Sequence, residues 1–235
     1  MKIRMKRKLA VVLLICISCH IGWAAQDFVW KSGQNMKVVC DTTEAPVVKV
    51  ALDLLKRDCR SVLSGEISRS ENTGNIYVGT WGESSVLQAL ADTRQLDVAQ
   101  LDEHREAFLL NVLPDGRLVV AGSDKRGTAY GVLELSRMMG VSPWEWWADA
   151  VPEKKEEFCL PAGFRKLEYP QVAYRGIFIN DEDWGLTPWS WKHYEPSERK
   201  GQIGPKTHAR IFELLLRLRA NTFWPAMHEC SIPFF

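Results

Sequence analysis

Apolar residues recur every three to four positions over residues 47–63, which is the spacing of an amphipathic helix. Pro46 suits the first turn of such a helix, and Thr42 or Thr43 can cap its start. Gly65 can end it, because glycine commonly follows the last helical turn. The pattern therefore predicts one long helix here.

Three further helices are predicted downstream. A short helix is expected near residues 84–91, and a longer one over residues 127–139 is stopped by Gly140. Residues 206–220 carry a wide apolar face, and Asn221 can end that helix.

Strands are predicted between these helices. Residues 36–40 and 75–81 are rich in residues that favour strands. Residues 108–112 and 117–121 lie on either side of a Leu-Pro-Asp-Gly sequence, which is a strong turn signal, so they predict a hairpin.

The pattern changes after Pro170. Residues 172–179 form an apolar run that is typical of a strand buried on both faces. A long loop (residues 180–205), the helix at 206–220 and a second strand (residues 222–227) follow. A strand, a helix and a strand in this order predict a βαβ unit, which builds parallel sheets.

The predicted fold class is therefore α/β. An N-terminal α+β layer domain (residues 26–168) precedes the first βαβ unit of a truncated (β/α)8 (TIM) barrel (residues 169–235). A complete barrel takes about 250 residues, whereas 65 residues follow Pro170. We therefore expect an N-terminal fragment or a truncated reading frame.

The first 25 residues are typical of a secretory signal peptide. Five basic residues and no acidic residue stand in the first eight positions, ahead of an apolar run at residues 9–17 and the small residues Ala24 and Ala25. This order predicts cleavage near Ala24 or Ala25 and export to the periplasm or the exterior. The apolar run is shorter than the roughly 20 residues that span a membrane. Lipidation at Cys16 or Cys19 is the less favoured alternative.

Charge and cysteine content exclude some classes of function. Without the N-terminal basic residues, 25 basic and 29 acidic residues remain, a net charge of −4. A mildly acidic body gives no electrostatic case for binding nucleic acid. Cleavage of the signal peptide removes Cys16 and Cys19, and the four cysteines that remain are far apart and contain no CxxC pair. They argue against a zinc site, and no cofactor or metal is predicted. We expect Cys40, Cys59, Cys159 and Cys230 to be free and buried, with a Cys40–Cys59 disulfide as the alternative.

Polar and aromatic residues cluster where the two late strands end. In parallel α/β folds, reactive groups collect beyond the carboxyl ends of strands. The first strand runs into Asn180, Asp181 and further acidic residues, and the second contains Trp224 and is followed by His228 and Glu229. Carboxylates, amide and imidazole groups and an indole ring together suit the binding of sugars. The alternative for the acidic cluster is a solvated loop or a turn cap.

Seven of the ten tryptophans lie between residues 144 and 224. Packing between domains is the favoured interpretation of the first group, which contains Trp144, Trp146 and Trp147. A carbohydrate platform is the favoured interpretation of the group in the long loop, which contains Trp184, Trp189 and Trp191.

Two other features receive structural interpretations. The Gly-Ser-Asp-Lys-Arg-Gly sequence at residues 122–127 lacks the spacing of a phosphate-binding loop, so it predicts an ordinary strand-to-helix turn. His208 is predicted to lie on a helix surface rather than to bind a metal.

Three segments in order resemble the start of the catalytic barrel in glycoside hydrolase family 115. They are Tyr-Arg-Gly-Ile-Phe-Ile-Asn-Asp-Glu at residues 174–182, Phe-Glu-Leu-Leu-Leu-Arg-Leu-Arg-Ala-Asn at residues 212–221, and Trp-Pro-Ala-Met at residues 224–227. Residues 122–131 and 142–149 resemble the N-terminal domain of that family.

The resemblance implies an α-1,2-glucuronidase that removes glucuronic acid or its 4-O-methyl ether from xylan. It also implies inversion, in which a general acid and a general base flank the bond with a water between them. By this resemblance Asp181 is catalytic, while Asn180 and Trp224 bind the sugar. The His228–Glu229 pair departs from the family, in which a tryptophan is common. The remaining catalytic carboxylates are expected beyond Phe235, so the chain alone is expected to be inactive.

The implied partner is a polysaccharide or oligosaccharide such as glucuronoxylan, with no nucleic acid and no membrane span. Whether the full-length protein forms a homodimer stays open. Two alternatives remain at this point: a non-catalytic carbohydrate-binding protein that uses the tryptophans alone, and a non-functional remnant.

Overall fold

The computed structural model describes residues 24–179, 184–196 and 201–225. Ten strands and five α-helices follow one another in these ranges, together with a 3-10 turn at Ala99–Leu101 and a π-helical turn at Ser190–Tyr194. In chain order the elements are β1 (Phe28–Lys31), β2 (Asn35–Cys40), α1 (Pro46–Leu63), β3 (Glu66–Ser70), β4 (Ile76–Thr80), α2 (Ser85–Asp92), β5 (Phe108–Val112), β6 (Leu118–Gly122), α3 (Lys125–Met139), β7 (Glu157–Leu160), β8 (Arg165–Glu168), β9 (Gly176–Phe178), α4 (Leu186–Trp189), α5 (Pro205–Arg217) and β10 (Thr222–Trp224).

A six-stranded mixed sheet organises the first part of the chain. Its strand order is β3-β2-β4-β6-β5-β8. The first four strands are mutually parallel, and β5 pairs antiparallel with both β6 and β8. The antiparallel β5–β6 pair confirms the predicted hairpin. Strands β1 and β7 form a separate antiparallel pair.

Two apolar cores lie on opposite faces of this sheet, because successive side chains of a strand point to opposite sides. Val120 of β6 packs in the core under α1 and α3, whereas its neighbours Val119 and Ala121 pack in the core under α2. The alternation places two helices on one face and one short helix on the other. This arrangement is the α+β layer expected for the first part of the chain.

The helix ends follow local chemistry, with one departure from expectation. Helix α1 begins after Ala45 without a side-chain cap, so the prediction of Thr42 or Thr43 as the cap was wrong. Helix α3 begins at Asp124, whose carboxylate accepts hydrogen bonds from the backbone N–H groups of residues 126 and 127, and it ends at Gly140 with φ +105°. The cap by Asp124 confirms the strand-to-helix turn predicted at residues 122–127. A positive φ is open mainly to glycine, so Gly140 ends the helix as predicted.

Strands β9 and β10 pair in parallel with α5 between them along the chain, as the βαβ prediction required. The expectation of a strand buried on both faces was wrong. Strand β9 spans only Gly176–Phe178, and its side chains are exposed, with Ile177 at 39%. The loop at residues 180–205 also contains α4 and the π-helical turn.

Buried ion pairs join the six-stranded layer to this βαβ unit. Asp58 of α1 accepts two hydrogen bonds from Arg217 of α5, at 2.8 and 3.0 Å. Glu134 of α3 pairs with Arg219, and Glu106 pairs with Arg175. Each of these three carboxylates is at most 6% exposed, so each depends on its cations for stabilisation.

The described cysteines form no disulfide. Cys40 and Cys59 are buried thiols, as expected, and burial raises the pKa of each to about 12. Cys159 is exposed, so the expectation that it would be buried was wrong. Cys230 lies outside the described residues.

Within the part of the chain that the structure describes, the longest helix has 18 residues and none is apolar enough to cross a membrane.

Acid should weaken this interface through Glu134. Burial opposes its ionisation, but hydrogen bonds from Arg137 and Lys166 and the charge of Arg219 prevail and lower its pKa from 4.5 to about 2. A lowered carboxyl pKa stabilises the fold above the ordinary pKa, and this contribution is lost as pH falls from 4.5 toward 2. We expect Glu134→Gln to unfold at lower urea concentration than the wild type at neutral pH. The difference between the two urea midpoints should shrink as the pH falls below 4.5.

The control for this measurement is Glu66→Gln, since Glu66 pairs with Arg60 on the surface. Surface pairs contribute little, so its unfolding midpoint should stay near that of the wild type at every pH. A midpoint difference for Glu134→Gln that does not change with pH would contradict the assignment.

Candidate functional site

The carboxyl ends of β9 and β10 lie side by side. Phe178 and Trp224 are register partners, and their ring centroids are 5.0 Å apart with a tilt of 48°. The N–H of Ile179 donates to the carbonyl of Trp224 at 3.0 Å, which extends the pairing past the strands. Two aromatic rings therefore stand together at the edge where the sequence predicted a site.

Both rings are accessible. Trp224 is 63% exposed and Phe178 is 46% exposed. A cavity of about 220 Å³ runs along this part of the unit, with Tyr174 and Thr222 also in its wall. The face is apolar and open, which suits stacking against the flat side of a sugar ring.

The close approach of the two strands depends on Gly176. A Cβ atom at this position would lie 1.8 Å from the carbonyl oxygen of Thr222, so only glycine fits. The N–H groups of Asn221 and Thr222 both donate to the carbonyl of Arg175, at 2.8 and 2.9 Å. The strands are thus fixed at their amino ends before they reach the rings at the carboxyl ends.

Of the three residues predicted to form the site, the structure describes Trp224 only. Asn180 and Asp181 lie outside the described residues, as do His228 and Glu229. Ile179 is the last described residue before Asn180 and is held beside Trp224. The assignments of Asn180 and Asp181 stay predictions.

Glu195 is a half-buried carboxylate whose role the sequence pattern did not predict. It accepts hydrogen bonds from the backbone N–H groups of Lys206 and Thr207, at 2.9 and 2.8 Å, and so caps the first turn of α5 from 11 and 12 residues away. Burial works against ionisation, but these bonds and one from Ser190 hold the pKa of Glu195 below its ordinary value. An ionised, fully engaged carboxylate of this kind is a cap, not a general acid.

His208 is buried rather than on a helix surface, so that prediction was wrong. Only 2% of the residue is exposed, and its Nδ1 lies 2.9 Å from the carbonyl oxygen of Gly204. Its ring packs near the rings of Phe212 and Phe223, at 6.0 and 5.8 Å. Within the described ranges, no group of His, Cys, Asp and Glu residues could hold a metal ion.

The two predicted tryptophan groups partly merge into one cluster. Trp189 of α4 packs 6.0 Å from Trp146, 6.1 Å from Trp147 and 4.9 Å from Tyr194, with the last pair stacked at 8°. Trp147 Nε1 also donates to the carbonyl of Arg210 at 3.2 Å. Packing between the two parts of the chain, expected for Trp146 and Trp147, therefore includes Trp189 of the loop group.

The other loop tryptophans differ from Trp189. Trp184 is 91% exposed, whereas Trp191 is half-buried with Lys192 over its ring at 5.0 Å. Because Trp189 packs against other rings, it does not offer a free face to a carbohydrate. For Trp184 and Trp191, the carbohydrate platform stays a prediction.

The crevice between parallel strands β2 and β4 is occupied by the chain's own carboxylates. Glu44 accepts from the N–H and the hydroxyl of Thr80, at 2.6 and 2.9 Å. Asp41 accepts from the hydroxyls of Ser84 and Ser85, both at 2.9 Å. Ligands of open α/β sheets bind in such crevices, so these contacts favour a structural role for the first sheet.

Removing the ring of Trp189 should destabilise the fold. We expect Trp189→Ala to lower the free energy of unfolding by about 2–3 kcal/mol, because a half-buried ring leaves a smaller defect than a fully buried one. Trp184→Ala is the matched control, and its 91% exposure predicts a change within about 0.5 kcal/mol. Chemical denaturation measures both, and equal effects would contradict the packing role.

This chain is similar to a protein family and to several solved structures. Residues 167–234 match the family model described as Glycosyl hydrolase family 115. A solved structure of a family GH115 4-O-methyl-α-glucuronidase, with specificity for decorated arabinogalactans, shares 60% sequence identity and a TM-score of 0.84. The match covers 88% of this chain and 27% of that enzyme. No curated protein sequence matches.

Among the more distant structures, the one with a TM-score of 0.50 shares the fold alone. Chitobiase from Flavobacterium johnsoniae has a TM-score of 0.50 at 12% identity, over 86% of this chain and 25% of its own. An exo-β-N-acetylglucosaminidase from Vibrio harveyi has a TM-score of 0.49 at 14% identity, over 85% of this chain and 23% of its own.

The 60% identity and the family match agree with each other. The chain therefore belongs to glycoside hydrolase family 115, and it fits the N-terminal portion of a larger enzyme.

Proposed function

We propose that this chain is the N-terminal part of an exported enzyme that removes glucuronic acid or its 4-O-methyl ether from side positions of a polysaccharide. The observation that carries the proposal is the 60% identity, over 88% of the chain, to a 4-O-methyl-α-glucuronidase. Because 88% of the chain is matched, the match includes residues from both the N-terminal layered domain (residues 26–168) and the βαβ unit.

Decorated arabinogalactan is the substrate that we favour over xylan. The family resemblance in the sequence implies xylan, but the solved relative at 60% identity has specificity for decorated arabinogalactans. Both polymers present a uronic acid on a side position, so the group removed is the same and the backbone differs.

Three residues would act on the uronic acid. The exposed ring of Trp224, supported by Phe178, offers an apolar surface for one face of the sugar. Asn180 would hydrogen-bond the hydroxyls. Asp181 would act as an acid or base or position the attacking water, with its partner carboxylate at the distance of roughly 6.5–9.5 Å that inversion requires.

The division of the chain is part of the proposal. Residues 1–25 are a cleaved signal peptide, residues 26–168 form the N-terminal α+β domain, and residues 169–235 begin a TIM barrel. The parallel β9–β10 pair with α5 between its strands supports the last assignment. Protein sequencing of the exported product should begin near residue 25 or 26.

Activity is tested with a hybrid enzyme. The 235 residues replace the matching 27% of the solved relative, and release of uronic acid is measured on decorated arabinogalactan and on glucuronoxylan. We expect release from arabinogalactan by the hybrid and none by the 235-residue chain alone. Release of uronic acid by the isolated chain above a boiled control would overturn the expectation that some catalytic residues lie outside these 235 residues. A hybrid that is inactive while the parent relative works would overturn the proposed function.

Asp181→Ala in the hybrid should lower turnover by at least about 100-fold, the scale of losing an acid/base group. Asn180→Ala should cost about 1–3 kcal/mol in transition-state stabilisation through lost hydrogen bonds. The melting temperature should stay near that of the parent hybrid in both variants. Normal turnover of Asp181→Ala would return the acidic cluster to the alternative of a solvated loop.

An experiment on the isolated 235-residue chain distinguishes catalysis from binding alone. A carbohydrate-binding protein without catalysis would bind arabinogalactan oligosaccharides as the isolated chain but would not release uronic acid in any form. Calorimetric titration of the wild-type chain and of Trp224→Ala measures the binding of these oligosaccharides. If the exposed ring alone binds them, the binding should disappear in the variant.

A further inference from the structure

Glu106 is a buried carboxylate in the layered domain, at the opposite end of β9 and β10 from the exposed rings. Its side chain is 6% exposed and contacts three donors. Nε of Arg126 lies 2.5 Å away, Nη2 of Arg175 donates at 2.6 Å, and Nδ2 of Asn221 donates at 3.0 Å. Arg175 and Asn221 directly precede β9 and β10, so one carboxylate reaches the start of both strands.

The backbone of Glu106 is held in an unusual conformation. Its φ is +55°, in the left-handed region that a residue with a side chain rarely adopts. Its N–H donates to Asp124 at 2.9 Å, the same carboxylate that caps α3. The start of α3 thus fixes the backbone that directs the Glu106 side chain toward the βαβ unit. A strained backbone conformation of this kind persists where the surrounding contacts hold it in place.

Arg175 and Asn221 in turn fix each other. The Oδ1 of Asn221 accepts from the N–H of Arg175 at 3.0 Å, and Nδ2 of Asn221 donates to the carbonyl of Ala173 at 2.8 Å. Nε of Arg175 donates to the carbonyl of Arg219 at 2.8 Å. Every group that faces Glu106 in this network is a donor, so the network needs an acceptor with negative charge at its centre.

We propose that Glu106 is a positioning residue for the sugar site, acting from the layered domain through the paired starts of β9 and β10. The inference rests on the proposed function for the identity of the site. The strands are three residues long and pair at three register positions, so a change at the first pair reaches the third. Thr222 and Trp224 are about 7 Å apart along the strand, and a tilt at one end moves the ring at the other.

A neutral amide cannot replace the carboxylate. Glutamine at position 106 would offer one oxygen and would turn its N–H₂ group toward the donors of Arg175, Arg126 or Asn221. The guanidinium groups of Arg126 and Arg175 would then both lose their buried counter-charge, and this destabilises the arrangement locally.

Hydrogen exchange on the 235-residue chain tests the inference directly. In Glu106→Gln, exchange of the N–H groups of Asn221, Thr222 and Ile179 should accelerate by at least about tenfold beyond what the change in global stability accounts for. Urea unfolding of each variant supplies that correction. Asp58→Asn is the matched control, because Asp58 is equally buried and pairs with α5, but it contacts neither strand. Its corrected exchange at these amides should match the wild type.

Glu106→Asp keeps the test decisive if Glu106→Gln does not fold. It retains the negative charge, but its side chain is one methylene shorter and cannot keep the contacts to Arg175 and Asn221 at 2.6 and 3.0 Å. We expect an intermediate acceleration at Ile179. Corrected exchange at Ile179 that is unchanged in the folded variants would overturn the inference, as would equal acceleration in Asp58→Asn.

The hybrid enzyme adds the catalytic readout. Glu106→Gln should lower kcat by at least about tenfold with KM within about threefold, because the rings still bind while the reacting groups are misplaced. Asp58→Asn at a temperature of equal folded fraction should leave kcat near that of the hybrid. Loss of kcat in both variants alike would overturn the positioning role. An inactive parent hybrid would count against the proposed function alone, since the exchange result decides the role of Glu106 independently.

Discussion

Buried carboxylates paired with arginines join the two parts of this chain, and each holds a different place on the βαβ unit: Asp58 holds α5, Glu134 the residues just after α5, and Glu106 the starts of β9 and β10. Asp58, Glu106 and Glu134 belong to the layered domain, and each receives an arginine from the other part. An apolar seam can slide, whereas a two-oxygen carboxylate accepts an arginine in few orientations. Removing one member of such a pair leaves an unpaired buried charge, which is strongly destabilising. The pairs therefore fix how the two parts of the chain are oriented.

Much of the layered domain could be predicted because local signals agreed with one another. The Leu-Pro-Asp-Gly turn determined the hairpin, and Gly140 ended the helix predicted over residues 127–139. Strands β3 and β8 were missed because they are short, polar edge strands, such as Glu-Ile-Ser-Arg-Ser, in which alternation is too brief to detect. Their existence depends on pairing with a neighbour distant in sequence, which no local pattern records.

The candidate site was predicted only in part, for a different reason. The rule that parallel strands carry function at their carboxyl ends led to Asn180, Asp181 and Trp224, and the family resemblance gave each of them a role. The charges that support the site could not be found this way. Glu106 and Glu195 act on residues 69 and 11 or 12 positions away, and the sequence shows each only as one glutamate among many. Their roles come from burial and from the donors around them.

Trp224 is held in the sheet through its backbone, while its ring stays outside. The carbonyl accepts the N–H of Ile179, and 63% of the residue is exposed. Strand pairing therefore places no demand on the chemistry of this side chain. Related enzymes could exchange the indole for another group and so meet a different sugar or linkage without rebuilding the strands beneath it. The backbone at this position is fixed by strand pairing, whereas the side chain can change. Substrate preference can therefore diverge faster than the fold.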